Sequence, residues 1–252
     1  MGILRWRFFT PWATAAAVAY GMLFALLLRD RSNVLIILGT IAVLAVAIMC
    51  KSRLGFVAIP CALVFAALLS RLTSPRLIFA AGAAVVALGI FGPTIVDWLI
   101  EQKDRMEQLR ADSTYVRTAL ADIAMHRWET EAPIWGHGVV EAGPHLVEFM
   151  PIGSHHTWYG LLFTKGIVGF SALLVALAVT LLDLIARAQM NGHARPALAF
   201  MLLFTFFTFT ENVEILAYLM WPGLMLVGLA SSQRFISPFR RFMAAGARPA
   251  IA

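Results

Sequence analysis

The sequence contains one adjacent pair of histidines, His155 and His156, followed by Trp158, Tyr159 and an apolar run that Lys165, Gly166 and Gly169 interrupt. An imidazole titrates near neutrality, so a histidine at the edge of such a run can take a proton from a sugar hydroxyl or donate a hydrogen bond to it. Arg53 and Arg117 offer complementary chemistry. A guanidinium holds phosphate oxygens in a bidentate fork and keeps its charge, which suits a pyrophosphate at the level of lipid headgroups. Each residue also has a plainer reading. Arg53, in the short turn Lys51-Ser52-Arg53, can mark a helix end and snorkel. Arg117 can pair with Asp112 or Asp122 on a helix surface. The histidine pair can be a polar helix start, with Trp158 and Tyr159 as aromatic anchors at a membrane interface. Lys165 is costly in hydrocarbon, so it either snorkels or faces a polar cavity and the substrate. Glu211, Glu214 and Asp97 read as span-end markers, and Gly166 with Gly169 as a site of close helix packing. Five of the six histidines, His126, His137, His145, His155 and His156, fall between residues 101 and 157. No metal is expected there: HExxH and CxxC-like spacings are missing, and adjacent histidines at a helix start point about 100° apart.

The elements that must position these residues follow from composition. With 60% hydrophobic residues, 13% charged and a mean hydropathy of +0.80, the chain has more apolar surface than one soluble core can bury. An all-α integral membrane protein is expected. The net charge of +6 then reflects arginines facing anionic lipid, with no nucleic-acid partner. Cys50 and Cys61 lie in or at the end of apolar runs and imply no disulfide framework. The first apolar run leads to Arg29, Asp30 and Arg31 without a signal-peptide cleavage pattern.

A helix needs about 20 apolar residues to cross a bilayer. Runs near that size occupy 11–28, 33–50, 54–70, 77–100 and 158–182, and two shorter ones, 197–210 and 215–230, flank Glu211, Asn212 and Glu214. The expectation is about seven transmembrane helices in a single polytopic domain over 1–252, with one long periplasmic loop, 101–157, containing short helices. A single long helix or a re-entrant hairpin competes at the last two runs. The basic tail with Arg234, Arg240, Arg241 and Arg248 belongs inside, as does the 183–196 loop with Arg187 and Arg195, which favours two crossings between them. The 101–157 loop then lies outside, with nine acids against five Lys and Arg. Val116, Leu120, Ile123 and Arg127 recur at helical spacing in its first half. From Pro133 onward its Gly and Pro content predicts turns packed on the membrane surface. The same count leaves the N-terminus outside with Arg5 and Arg7, against the charge rule.

Taken together these residues resemble the O-antigen ligase and polysaccharide polymerase family of bacterial inner-membrane proteins. The family signature is a histidine, usually Asn, Ser or Gln next, nine variable residues and a Gly-x-x-Gly-like ending. Here His155 is followed by His156, the nine residues from Thr157 to Lys165, and Gly166-Ile-Val-Gly169. His156 departs from the usual second residue, and Thr164 stands where many members carry an acid. The turn Ser52-Arg53-Leu54-Gly55 and the loop residues Arg117, Trp128, Pro133 and Gly136-His-Gly138 look like further landmarks. The resemblance runs from about Asn33 to Ala230.

What the resemblance implies is an undecaprenyl-pyrophosphate-linked glycan held by Arg53 and Arg117 at the periplasmic face of the inner membrane. His155 would be the base for an acceptor hydroxyl of a lipid A core sugar or another glycan, and no metal or cofactor would be needed. His156, Trp158, Tyr159 and Lys165 are the further substrate-binding candidates. Full-length relatives carry roughly a dozen crossings, more than this chain can supply at about 20 residues each. It is therefore expected to be a truncated product or to rely on another chain for the missing spans. A lipid-linked polysaccharide polymerase is the alternative within the family. A non-catalytic membrane transporter or binding subunit is the alternative outside it, although no inverted repeat of the kind transporters carry is apparent.

Overall fold

Among the described residues eight α-helices form where the apolar runs and the loop's helical spacing place them. In a computed structural model, residues 8, 10, 13–27, 32–108 and 111–233 are described, and for some helical residues, Arg53 among them, only the backbone. The helices are α1 (Ala13–Leu27), α2 (Asn33–Met49), α3 (Arg53–Leu69), α4 (Pro75–Gln108), α5 (Ala111–Glu131), α6 (Thr157–Met190), α7 (Arg195–Thr208) and α8 (Ala217–Ser232). No strand occurs among the described residues, so the all-α expectation holds there. Arg5, Arg7, Arg29, Arg31 and the basic tail, on which the orientation count leans, lie outside the described residues.

Among the described residues two helices are long and apolar enough to cross a membrane, α4 through its stretch Pro75–Gly92 and α6. α2, α3 and α8 are apolar but shorter. Residues between Thr208 and Ala217 form turns, so the last two apolar runs are separate helices rather than one long one.

The chain divides into two units. In the first, Met1–Ser70 with Thr180–Leu203 and Leu219–Ala252, α2 and α3 start at serine side-chain caps. Ser52 Oγ accepts from the Gly55 amide at 3.1 Å and opens α3 at Arg53. Gly55 is required because a Cβ there would come within 2.8 Å of the Ala17 side chain. Small residues fill most of the buried positions of α1 to α3, among them Ala15, Ala16, Ala17, Ala47, Ala58 and Ala62, with Met22, Phe24 and Ile59 as larger exceptions. Large apolar side chains such as Val34, Ile37 and Ile41 point outward. This inversion is what helices solvated by lipid adopt, because hydrocarbon outside removes the advantage of burying large residues and packing favours small ones. Large apolar side chains point outward on α4 in the second unit too, where no described side chain of Pro75–Gly92 is buried and Phe79, Val85 and Ile90 are well exposed.

The second unit, Arg71–Val179 with Phe204–Tyr218, has a conventional core. Leu120 and Ala124 of α5, Val147 and Ile152 of the loop and Phe163 of α6 are buried together, with Val116, Ile123 and Tyr159 against them. The helical spacing in the loop therefore marks the face that fastens α5 to α6.

α6 is not continuous. Gly166 adopts φ 60°, ψ −163°, a conformation only glycine enters readily, and breaks the helix. This corrects the reading of Gly166 as a packing glycine within one span. A break strands backbone groups that must find partners. The 133–138 segment supplies them: the His137 and Gly138 amides donate to the Phe163 and Thr164 carbonyls, both at 2.8 Å, and the Ile167 and Val168 amides donate to the Pro133 and Ile134 carbonyls, at 3.0 and 3.3 Å. Gly136 and Gly138 take positive φ to make this approach, and a side chain at Gly136 or Gly166 would overlap the opposing backbone. The Gly- and Pro-rich segment thus packs on the interrupted helix.

Candidate functional site

His155 and His156 lie in the turn immediately before α6, not within its first turn. Three segments converge on them. α5 brings Arg117, Leu120 and Ala121, the turn into α6 brings Gly153, His155, His156 and Tyr159, and the turn after α7 brings Phe209 and Thr210. Together they line a cavity of about 150 Å³. Arg117 and His155, 38 positions apart in sequence, so share one site.

The cavity is held from both sides. On the α5 side the Leu120–Phe163 core fixes the helix. On the other side Thr157 Oγ1 donates to the Glu211 carbonyl at 2.6 Å and accepts from the Val213 amide at 3.1 Å. Trp158 Nε1 donates to Thr208 Oγ1 at 3.1 Å, and Asn212 Nδ2 donates to the Gly153 carbonyl at 3.3 Å. The turn 209–216 is thereby stitched to the start of α6. Gly153, with φ 77°, and Gly160 approach so closely that neither has room for a Cβ.

Electrostatics inside the cavity favour neutral histidines. Burial lowers the pKa of His155, and the charge of Arg117 lowers it further. His156 is lowered by burial alone. A charged imidazole would forfeit hydration there, so both rings hold an accepting nitrogen at neutral pH. His155 Nε2 lies 3.5 Å from the Met150 sulfur, and the His156 ring stacks on Tyr159 with centroids 4.1 Å apart. Among the described residues no ion pair involves Arg117, Asp122 included; the Asp112 side chain lies outside them.

The other expected residues fall as follows. Arg53 begins α3 in the first unit, and its side chain lies outside the described residues. Trp158 is buried, 7% exposed, and holds the 209–216 turn; it does not line the cavity. Lys165 pairs with Glu214, so it neither lies alone in an apolar span nor lines the cavity. Glu211 is buried rather than a wetted span-end marker. Among the described residues no three His, Cys, Asp or Glu side chains gather as metal ligands would.

A second polar cluster escaped the sequence reading. Arg127, on the α5 core face, binds Glu131 through Nε and Glu141 through a terminal nitrogen at 2.6 Å, while its guanidinium lies 5.2 Å from the Phe163 ring centroid. His137 stacks on Phe163 and joins Glu131 through Nε2 at 2.8 Å. Hydrogen bonds from Arg127 and then His137 pull the Glu131 carboxyl down to about 2. Trp128 Nε1 donates to the Pro133 carbonyl at 2.8 Å, completing the clasp around the 133–138 segment. The i,i+4 spacing of Arg127 and Glu131 was the available signal.

Comparison of the sequence with protein-family models and with curated proteins finds no match.

Proposed function

We propose that the chain is a bacterial inner-membrane glycosyltransferase of the ligase type, with its active face in the periplasm. It would move a glycan from undecaprenyl pyrophosphate to an acceptor sugar hydroxyl. The observation that carries this reading is the cavity shared by Arg117 and His155, lined by a guanidinium without an ion-pair partner among the described residues and by an imidazole whose pKa burial lowers. The outward-facing large apolar residues support insertion in a bilayer, and seven crossings with 101–157 outside is the topology the reading adopts.

In the proposed reaction the acceptor hydroxyl gives its proton to His155 as its oxygen bonds the anomeric carbon of the donor sugar. The bond from that carbon to the pyrophosphate oxygen breaks, and the lipid pyrophosphate leaves with the electron pair. Arg117 stabilises the charge that develops on it, and Arg53 is the further candidate from the sequence for the same task. Guanidinium groups supply this stabilisation without a metal. An acceptor on a lipid A core makes the enzyme a ligase, and one on a second lipid-linked repeat makes it a polymerase.

The broken helix at Gly166 favours a second reading, a non-catalytic binding or transport subunit, since transporters build substrate sites from discontinuous helices. Substituting Arg53, Arg117 and His155 singly and assaying glycan transfer separates the two. The enzyme reading expects each change to abolish or cripple transfer; full activity of His155→Ala would remove the base assignment.

A further inference from the structure

The turn-rich segment after α5 exposes apolar side chains that the proposed transfer reaction does not use. Ile134, Trp135, Val139 and Val140 are all exposed, Trp135 to 73%. The segment carries no fixed charge: the nine residues from Ala132 to Val140 include no Lys, Arg, Asp or Glu. The acids that flank it, Glu131 and Glu141, are both bound by Arg127. His137, its one titratable side chain, is held by Glu131 and the Phe163 carbonyl. Its backbone is occupied too. The Gly136, His137 and Gly138 amides donate to carbonyls, and the Pro133 and Ile134 carbonyls accept from α6. Irregular backbone tolerates a low-dielectric medium only when its polar groups are paired in this way.

With α6 in a bilayer, the helix sets the depth at which this segment lies. All 34 residues of α6 rise about 51 Å, well beyond the ~30 Å of a hydrocarbon core. The stretch without charge is shorter: from Gly166 to Leu182, between Lys165 and Asp183, 17 residues rise about 26 Å. That length fits the core, so one hydrocarbon boundary passes close to Gly166, where the ladder joins residues 133–138 to the helix. Lys165 and Glu214, paired and about half exposed, lie at the polar side of that boundary. On its apolar side the exposed surface continues from Ile134 to Ile167 and Val168, whose amides reach the Pro133 and Ile134 carbonyls.

We propose that Ile134, Trp135, Val139 and Val140 form an interfacial anchor that enters the leaflet on the cavity side, at the boundary between headgroups and acyl chains. Tryptophan favours this layer because its ring is apolar while its indole N–H can bond headgroup oxygens. The ladder passes that anchorage to α6. Thr157, where α6 starts, precedes Gly166 by nine residues, a rise of no more than about 14 Å, so the histidine turn and the cavity it lines stay within reach of a lipid headgroup. The anchor thus holds the cavity at a fixed height over the bilayer. Lipid is favoured over a protein partner as the occupant, because a protein would not require the exposed set to coincide with the end of the uncharged interval. The inference rests on the bilayer placement in the proposed function and not on the transfer chemistry.

Site-directed spin labels in the full chain test this, in vesicles of phosphatidylethanolamine and phosphatidylglycerol, with Cys50→Ala and Cys61→Ala removing the native thiols. Labels at Trp135→Cys and Val140→Cys should collide with oxygen, relative to a water-soluble nickel chelate, several-fold more than a label at Asp122→Cys on the exposed side of α5. Val175→Cys, at an exposed position near the middle of the uncharged interval, reports whether α6 crosses the bilayer. Retained amide protection at His137 and Gly138 shows that a labelled chain is folded, and Ile134→Cys and Val139→Cys replace any variant that loses it. Nickel access at Trp135→Cys and Val140→Cys equal to that at Asp122→Cys, with Val175→Cys in lipid, would overturn the anchor alone. Shielding of both labels from oxygen and nickel alike would overturn it in favour of a protein partner. Val175→Cys in water would sink the bilayer placement together with the anchor. Retention of glycan transfer by both Arg117→Ala and His155→Ala would instead sink the transfer reading while the depth result stood.

Discussion

Arg117 and Arg127 sit on the same helix, each near a histidine, and their surroundings are opposite. Arg127 is saturated: two carboxylates, an aromatic face and, through Glu131, the imidazole of His137. Arg117 faces a cavity beside His155 and has no ion-pair partner among the described residues. A saturated network fixes geometry, and its members have no capacity left for a ligand. An unsaturated one keeps its capacity at a cost in stability, which selection tolerates at binding sites. The contrast gives one pair a structural role, and under the proposed function it leaves the other to face the ligand.

Arginine substitution puts that contrast under the greatest strain. Arg117→Ala should cut glycan transfer by about 10²–10³-fold, the loss typical of removing one donor to a developing negative charge, and Arg117→Lys should restore little of it because the fork is gone. Arg127→Ala should leave turnover within a few-fold in protein that remains folded. Equal losses from the two alanine variants, measured in the same transfer assay, would erase the distinction.

Next in size is Gly166→Ala. Its backbone conformation disfavours any side chain by about 1–3 kcal/mol, and the new methyl would also meet the Ile134 carbonyl. A melting temperature several degrees lower in nanodiscs is expected, together with loss of amide protection at His137 and Gly138. Wild-type stability in this variant would mean that the break in α6 is not needed for the fold.

The pH dependence of the two clusters should separate cleanly. His155 and His156 have folded pKa values below the ordinary 6.5, so their contribution to stability is present above 6.5 and is lost as pH falls through the lowered folded values. Glu131 is lowered from 4.5 to about 2, so its contribution is present above 4.5 and disappears only as pH falls toward 2. Melting temperature should therefore begin to drop below pH 6.5, and His155→Asn should flatten that first decline. The acid limb of the transfer rate should move upward in Arg117→Ala, because the guanidinium is one of the two causes lowering His155. An unmoved limb would show that His155 does not set it.

The smallest effect belongs to Glu131→Gln. It removes the charge shared by Arg127 and His137, and faster hydrogen exchange at the His137 and Gly138 amides is the expected signature, with transfer nearly unchanged. A large loss of transfer would move Glu131 from the clasp into the chemistry.

Much of the helical layout was legible because apolar runs of near-spanning length report their own positions. The α5 face was legible for the same reason, since Val116, Leu120 and Ile123 repeat at helical spacing. The break in α6 was not: Gly-x-x-Gly in an apolar run reads alike whether two helices pack there or the backbone turns out. What decides between them is the backbone of residues 133–138, and a carbonyl carries no residue-type signal. Lys165 next to Gly166, with the Pro133, Gly136 and Gly138 spacing some 30 residues earlier, is a trace visible only once both are known to meet. The burial of Glu211 and the cavity-lining position of Thr210 were hidden similarly, because both depend on a turn fastened to Thr157 and Gly153 at distant positions. His155 and Arg117 were legible through residue chemistry, and folding adds that they share a wall.

The ladder joining 133–138 to the interrupted helix also sets where this chain can be edited. Two of its carbonyls and two of its amides belong to α6, so a residue inserted or deleted within 133–138 would shift the register and leave helix backbone without partners. A few positions later the constraint lifts. Gly143 and Met150 close a small hairpin whose tip, His145 to Phe149, is mostly exposed. Labels on the exposed side chains of that tip, which leave the buried Val147 in place, need disturb neither the ladder nor the cavity. A tag or fluorophore belongs at Leu146 or Glu148, and the six residues from Pro133 to Gly138 are better counted as part of the helix they complete than as loop.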